Sequence, residues 1–113
     1  MEGIYSVTFR GAVEWGMGML LLRAGSIIGA DVAGVLFDGT YRTVDGKMAV
    51  NVVMTVPPGA VLVQGTLPRP QAYTVQFDSL VPLHALTDGT PVLLQMPPGP
   101  VNVIFKFLRA LEE

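Results

Sequence analysis

The sequence predicts an all-β chain that closes into one antiparallel up-and-down barrel of about eight strands, with a β-sandwich as the alternative. Three observations carry this. Apolar and polar residues alternate with period two along almost the whole length, the pattern of half-buried strands. Turn signals interrupt the alternation at Arg23-Ala24-Gly25-Ser26, Asp45-Gly46, Pro57-Pro58-Gly59, Asp88-Gly89 and Pro97-Pro98-Gly99-Pro100. No segment carries a convincing apolar stripe of helical period. A barrel is preferred because closure removes edge strands. Eight strands leave an interior that side chains fill or that holds one small ligand.

The elements follow in order. The first strand places Tyr5, Val7 and Phe9 on one face and Ser6, Thr8 and Arg10 on the other. A second runs from about Glu14 to Arg23, with Trp15, Met17, Met19 and Leu21 on one side. A short third strand begins at Ile27-Ile28 and ends near Asp31, and a turn at most occupies Asp31 to Gly34. The fourth spans about Val35 to Thr43, and Asp45-Gly46 is a strong hairpin signal. In the fifth, Met48, Val50, Val52, Met54 and Val56 share a face, and proline at 57 and 58 stops the ladder. Val61 to Thr66 reads as a short strand. Ala72 to Leu80 alternates cleanly, Pro91 to Met96 follows, and Val101 to Leu108 is the last strand. Residues 110–113 form a tail.

All 113 residues fit one domain. Half are hydrophobic and 14% are charged, against about 25% in an average soluble domain. With mean hydropathy of +0.51, the chain either encloses an apolar cavity or buries an outer face against a partner. The longest apolar run, Met17 to Leu22 after Gly16, falls far short of the roughly 20 residues of a spanning helix. Glu2 and strand alternation from Ile4 do not suit a secretory signal. Cysteine is absent, and the cytoplasm is the expected location. A net charge of −2 and seven scattered basic residues argue against nucleic acid as a partner.

Candidate chemistry is sparse. His84 is the single histidine, and without cysteine it lacks evident metal partners. Ser6, Ser26 and Ser79 have no nucleophile-elbow setting. Gly16-Met17-Gly18 is followed by neither a third glycine nor a helix, so it is no phosphate loop. Asp45 and Asp88 precede glycines and suit turns. Asp31 either caps backbone amides at a bend or presents a polar group at the barrel mouth or an interface. No enzyme activity, cofactor or metal is expected.

The aromatic and methionine residues Tyr5, Phe9, Trp15, Met17, Met19, Phe37, Tyr41, Met48, Met54, Tyr73, Phe77, Phe105 and Phe107 are expected to form the core. Tyr5, Phe9, Tyr41, Met48, Met54, Tyr73, Phe77 and Phe105 in particular form either a packed interior or a cavity for a hydrophobic small molecule. The second strand is apolar on both faces, which a solvated barrel strand should not be. A homodimer is therefore expected, through Leu20 and Leu22 or whichever face of that strand lies outside.

The order Gly3-Ile4-Tyr5, Gly18, Met19-Leu20-Leu21-Leu22, Gly25, Ile27-Ile28, Gly29-Ala30-Asp31 and Gly39-Thr40-Tyr41 resembles the GrlR family, named for a negative regulator of type III secretion genes. The resemblance covers roughly residues 3 to 56. It implies a lipocalin-like barrel, a homodimer, and action by sequestering a helix-turn-helix transcriptional activator without touching DNA. The family's partner contact is an acidic hairpin; the matching positions here are Arg42, Thr43, Val44, Asp45, Gly46 and Lys47, one acid and two bases. Ala30 replaces the second glycine of the Gly-Gly-Asp motif. On this reading the protein is a bacterial, non-enzymatic dimeric regulator. The alternative is a carrier or sensor of a small apolar ligand.

Overall fold

The computed structural model describes residues 2–97 and 99–111. Pro98 in the predicted proline stop, and Glu112 and Glu113 in the predicted tail, lie outside them. The chain forms β1 (Gly3–Arg10), β2 (Trp15–Arg23), β3 (Ser26–Asp31), β4 (Leu36–Val44), β5 (Lys47–Val56), β6 (Tyr73–Pro82), a single helical turn α1 (Ala85–Asp88), β7 (Val92–Leu94) and β8 (Val101–Arg109).

The eight strands make one antiparallel sheet in the order β6-β5-β4-β3-β2-β1-β8-β7. Pairing of β1 with β8, Val7 opposite Phe105, joins the first and last strands, and the sheet curls into a nearly closed up-and-down barrel. The seam lies between β6 and β7, which are sequence neighbours but not ladder partners. Only Val101 to Val103 of β8 has a β7 partner. Below that, α1 packs against β8 and touches β6, filling the gap where β7 is too short.

Two hairpins set the register. Ala24 and Gly25 have φ of 50° and 81°, and Asp45 and Gly46 have 49° and 76°. Both central residues are left-handed, as two-residue turns matched to strand twist require. Arg23 therefore faces Ser26 and Val44 faces Lys47.

Period-two alternation holds through the barrel. Tyr5, Val7, Val50, Val103 and Phe105 are buried; Phe9, Val75 and Phe77 are half-buried and pack against that core. Full burial of such side chains contributes about 1.5–3 kcal/mol each. The core extends to Leu62, Ala85 and Leu86, from the segment after β5 and from α1.

Four expectations are corrected. On β2 the inward file is Gly16, Gly18, Leu20 and Leu22, with Leu22 only 1% exposed. Trp15, Met17 and Met19 point outward, 60%, 44% and 51% exposed, and are not core. A strand apolar on both faces gives no sequence signal for which face is inside. The pairing decides it, because Gly18 opposite Val7 shares the inward side.

Val61 to Thr66 is not a strand. Bounded by Pro57-Pro58 and Pro68, it turns at Gly65 (φ 89°), where the Gly65 amide donates to the Leu62 carbonyl at 2.8 Å. It crosses one end of the barrel, and the Val63 carbonyl accepts from the Val13 and Glu14 amides at 3.1 and 3.2 Å.

Third, α1 was not foreseen, since four residues are too few to display a helical period. The fourth concerns Phe107, which is 39% exposed although its ring packs edge-on against Tyr5 with centroids 5.3 Å apart. The β1–β8 register shifts between Ile4 and Tyr5, which lifts this end of β8 off strict alternation.

Candidate functional site

The barrel holds an interior cavity of about 280 Å³. The sequence places residues of modest size around it: Val7, Val50, Val52, Val101 and Val103 reach inward from central strands without filling the axis. The space extends to the buried Val81 and Leu86 and reaches the surface at the other end, where Glu14, Trp15, Ala33 and Val61 are exposed. At about 24 cal/mol per Å³, emptiness of this size forgoes on the order of 7 kcal/mol of packing. Apolar cavities of about 150 Å³ already stay dry and admit small apolar molecules.

Of the eight residues predicted to line the interior, the structure brings six together: Tyr5, Phe9, Met48, Met54, Phe77 and Phe105. Burial of the Tyr5 phenol, and next the nearby Tyr41, push its pKa above the ordinary tyrosine range. Tyr41 is half-buried and packs against the core outside the cavity lining, bordering a depression that Arg42, Asn51 and Asp78 also line. Tyr73 packs on the core beyond the cavity, with the Arg69 guanidinium 4.0 Å over its ring. Its hydroxyl is buried without a hydrogen-bond partner among the described residues.

Polar lining side chains gather at the open end: Glu14, Asp31 and Gln64. Glu14 is in the loop before β2, held by the backbone latch to Val63. Asp31 ends β3, and its Oδ1 accepts from the Ala33 and Val35 amides at 2.9 and 3.0 Å. Both readings of Asp31 thus meet in one residue, an amide cap that also lines the mouth. Burial raises its pKa, outweighing the amides of Val35, Ala33 and Gly34, which lower it. Ionising it therefore opposes folding, a penalty absent well below the ordinary carboxylate pKa and complete above the raised one. Asp31→Ala is expected to destabilise by about 1–3 kcal/mol, because two amides lose their acceptor. Urea unfolding reads this, and no change would show that water replaces the carboxylate without loss.

Sequence reasoning missed Glu14, Val61, Leu62, Val63, Gln64 and Leu86. The available signal was the short apolar run Val61-Leu62-Val63 between proline breaks, too brief for a ladder yet too apolar for a free loop.

A second group lies on α1, away from the cavity lining. His84 Nδ1 is 2.8 Å from Asp88 Oδ2, a partner four residues on that the i, i+4 spacing could have shown. Asp88 Oδ1 also accepts from the Thr90 hydroxyl at 2.7 Å and amide at 2.9 Å. These bonds, the Thr90 hydroxyl first, lower the Asp88 pKa from 3.8 to about 2. The depressed value makes the ionised turn favourable above pH ~4, a contribution lost as pH falls through about 2. Thr90→Val should return the Asp88 carboxyl towards 3.8 in a carbon-detected NMR titration. A carboxyl still titrating near 2 would assign the shift to His84 and the amide. Among the described residues no three of His, Asp and Glu stand close enough to hold a metal ion.

Leu20 and Leu22 both line the cavity, so they do not lie on the outer side of β2. The apolar residues on the outer side are Trp15, Met17, Met19 and Leu21 of β2, with Ile28, Ala30 and Val32 beside them and Leu36 opposite Ala30. The hairpin from Arg42 to Lys47 is exposed at the end opposite the mouth. Compared with known proteins, the chain matches no family model and no curated sequence. Among the described residues no helix is long and apolar enough to cross a membrane.

Proposed function

We propose that the protein is a non-enzymatic regulatory adaptor that acts by protein contact, and that the outer face of β2 and β3 joins two copies into a homodimer. The carrying observation is that unbroken face. Four consecutive outward positions of β2 are Trp15, Met17, Met19 and Leu21, and on the β3 side Ile28, Ala30 and Val32 flank them. Ile28 is 55% and Val32 79% exposed. On the β1 side Met17, Met19 and Leu21 meet the uncharged Thr8, Ser6 and Ile4, while Trp15 at the end of the strip meets Arg10. Apolar patches of this continuity are rare on soluble monomers.

A second copy suits the face because an extended, nearly uniform apolar strip is complementary to itself under a two-fold rotation. At about 4.8 Å between strands and about 3.3 Å per residue, eight residues of β2 and β3 cover roughly 250 Å², and a rim over β4, β1 and β8 that also carries Asp38, Arg10 and Lys106 extends the face to roughly 600 Å² per copy. Two such faces bury about 1,200 Å², above the approximate 1,000 Å² expected of a specific interface. Methionine adapts to such contacts. The glycine and strand pattern shared with the GrlR family supports the regulatory part of the reading. The hairpin differs in charge, Arg42 and Lys47 against Asp45, so a partner docking there would present acidic groups.

Sedimentation at micromolar concentration should give about 24 kDa, twice the 12.1 kDa chain. Met17→Lys with Met19→Lys should give the monomer with an unchanged circular dichroism spectrum. A wild-type monomer would overturn the reading.

A further inference from the structure

We propose that the barrel interior binds a short cationic amphiphile, an alkyl chain carrying an ammonium, with the chain in the cavity and the head between Glu14 and Asp31 at the mouth. This does not depend on the outer-face dimer, with which the mouth shares only Trp15.

Size follows from the space. About 280 Å³, at about 30 Å³ per water-sized group, holds roughly nine non-hydrogen atoms. Body chemistry follows from the walls: below the mouth the lining is aliphatic, aromatic and methionine side chains, which offer contact area and few hydrogen bonds. Orientation follows from polarity being confined to one end. Every other lining position is apolar apart from the Tyr5 hydroxyl, so a polar head placed at depth would lose its hydration.

Head-group charge follows from the sign of the rim. The two ionisable carboxylates there, Glu14 and Asp31, face no lysine or arginine among the lining residues. Arg69, on the crossing segment, is engaged over the Tyr73 ring. A fatty acid of the same length would bring a third negative charge to a partly desolvated mouth, where like charges repel far more strongly than in bulk water. An ammonium instead relieves the two acids and donates to them and to the Gln64 side-chain carbonyl. The latch through Val63 holds the Glu14 backbone at the opening, with its exposed carboxylate within reach of the head.

Trp15, the single tryptophan, lines the mouth and supplies the readout. The full chain is titrated separately with octylammonium, octanol and octanoate at neutral pH, following Trp15 emission and, in parallel, calorimetry. Octylammonium is expected to bind at least about tenfold more tightly than octanoate, with octanol between. Glu14→Gln, at an exposed position, should narrow that ratio while leaving octanol unchanged. Val52→Phe and, independently, Val103→Phe fill the interior and should abolish binding of all three. Failure of all three to bind the wild type would overturn the proposal, as would octanoate binding as tightly as octylammonium. Undiminished binding in whichever filled variant folds would also overturn it, by placing the ligand on the outer face. None of these outcomes bears on the sedimentation result.

Discussion

Phe105→Ala is expected to lower the stability of the barrel by about 3–5 kcal/mol, the largest loss of any single truncation in the interior. Phe105 is 6% exposed, lies on β8 opposite Val7, and lines the cavity. The β1–β8 pair lies inside the sheet, away from the open seam, so both backbones around the lost ring are held by ladder hydrogen bonds. They cannot move inward to fill the hole. The new void would also join a cavity of about 280 Å³, leaving the opposite wall without contacts. Urea unfolding should show a lower midpoint at unchanged slope, the signature of lost native stability. A loss below about 1 kcal/mol would mean that the interior collapses freely. Phe77→Ala makes the comparison sharper. Phe77 is only half-buried, on β6 beside the open seam, so less area is lost and the edge strand can relax.

Gly39→Val should be comparably damaging for the opposite reason. Gly39 sits mid-β4 opposite Val52, and a Cβ on it would collide with the Asn51 carbonyl oxygen and stand 3.0 Å from the Val52 Cα. Those atoms are backbone of the paired strand, so no rotamer change relieves the contact. The β4–β5 ladder would have to part in its centre. A cost of about 3 kcal/mol or more is expected, at the upper edge of ordinary overpacking. Thr40→Val, next door and facing out, should stay within about 0.5 kcal/mol. Equal thermal midpoints for the two variants would refute the close-approach account of Gly39.

The sequence pattern identified Gly39 but not its reason, and this is typical of how far the reading reached. Alternation in Met48 to Val56 and in Val101 to Phe105 fixed those inward faces before any pairing was known, because burying a strand face is a local, period-two demand. Asp45-Gly46 and Ala24-Gly25 were legible because left-handed backbone needs particular residues. Where a segment was apolar on both sides, as in β2, local chemistry gave no answer. Leu20 and Leu22 looked as suited to the outside as Met17 and Met19 did to the inside.

All-β class, each of the eight strands, the two tight hairpin turns and most of the inward residues were thus written into the chain as short-range patterns, alongside one apolar stretch, Val61 to Thr66, that is no strand. What lay beyond it were the decisions that depend on closure. Pairing β1 with β8 set which face of β2 is interior. The shortness of β7 made room for α1, and the end of the barrel gave the Val61–Gln64 stretch a place to cross and bring Glu14 and Asp31 to one opening. Val7 and Phe105 are 98 positions apart and Glu14 and Val63 are 49, and no local periodicity encodes contacts of that range. The cavity belongs to the same class, since a void is a property of how walls meet rather than of any one wall. The side chains were readable in sequence; the space between them was not.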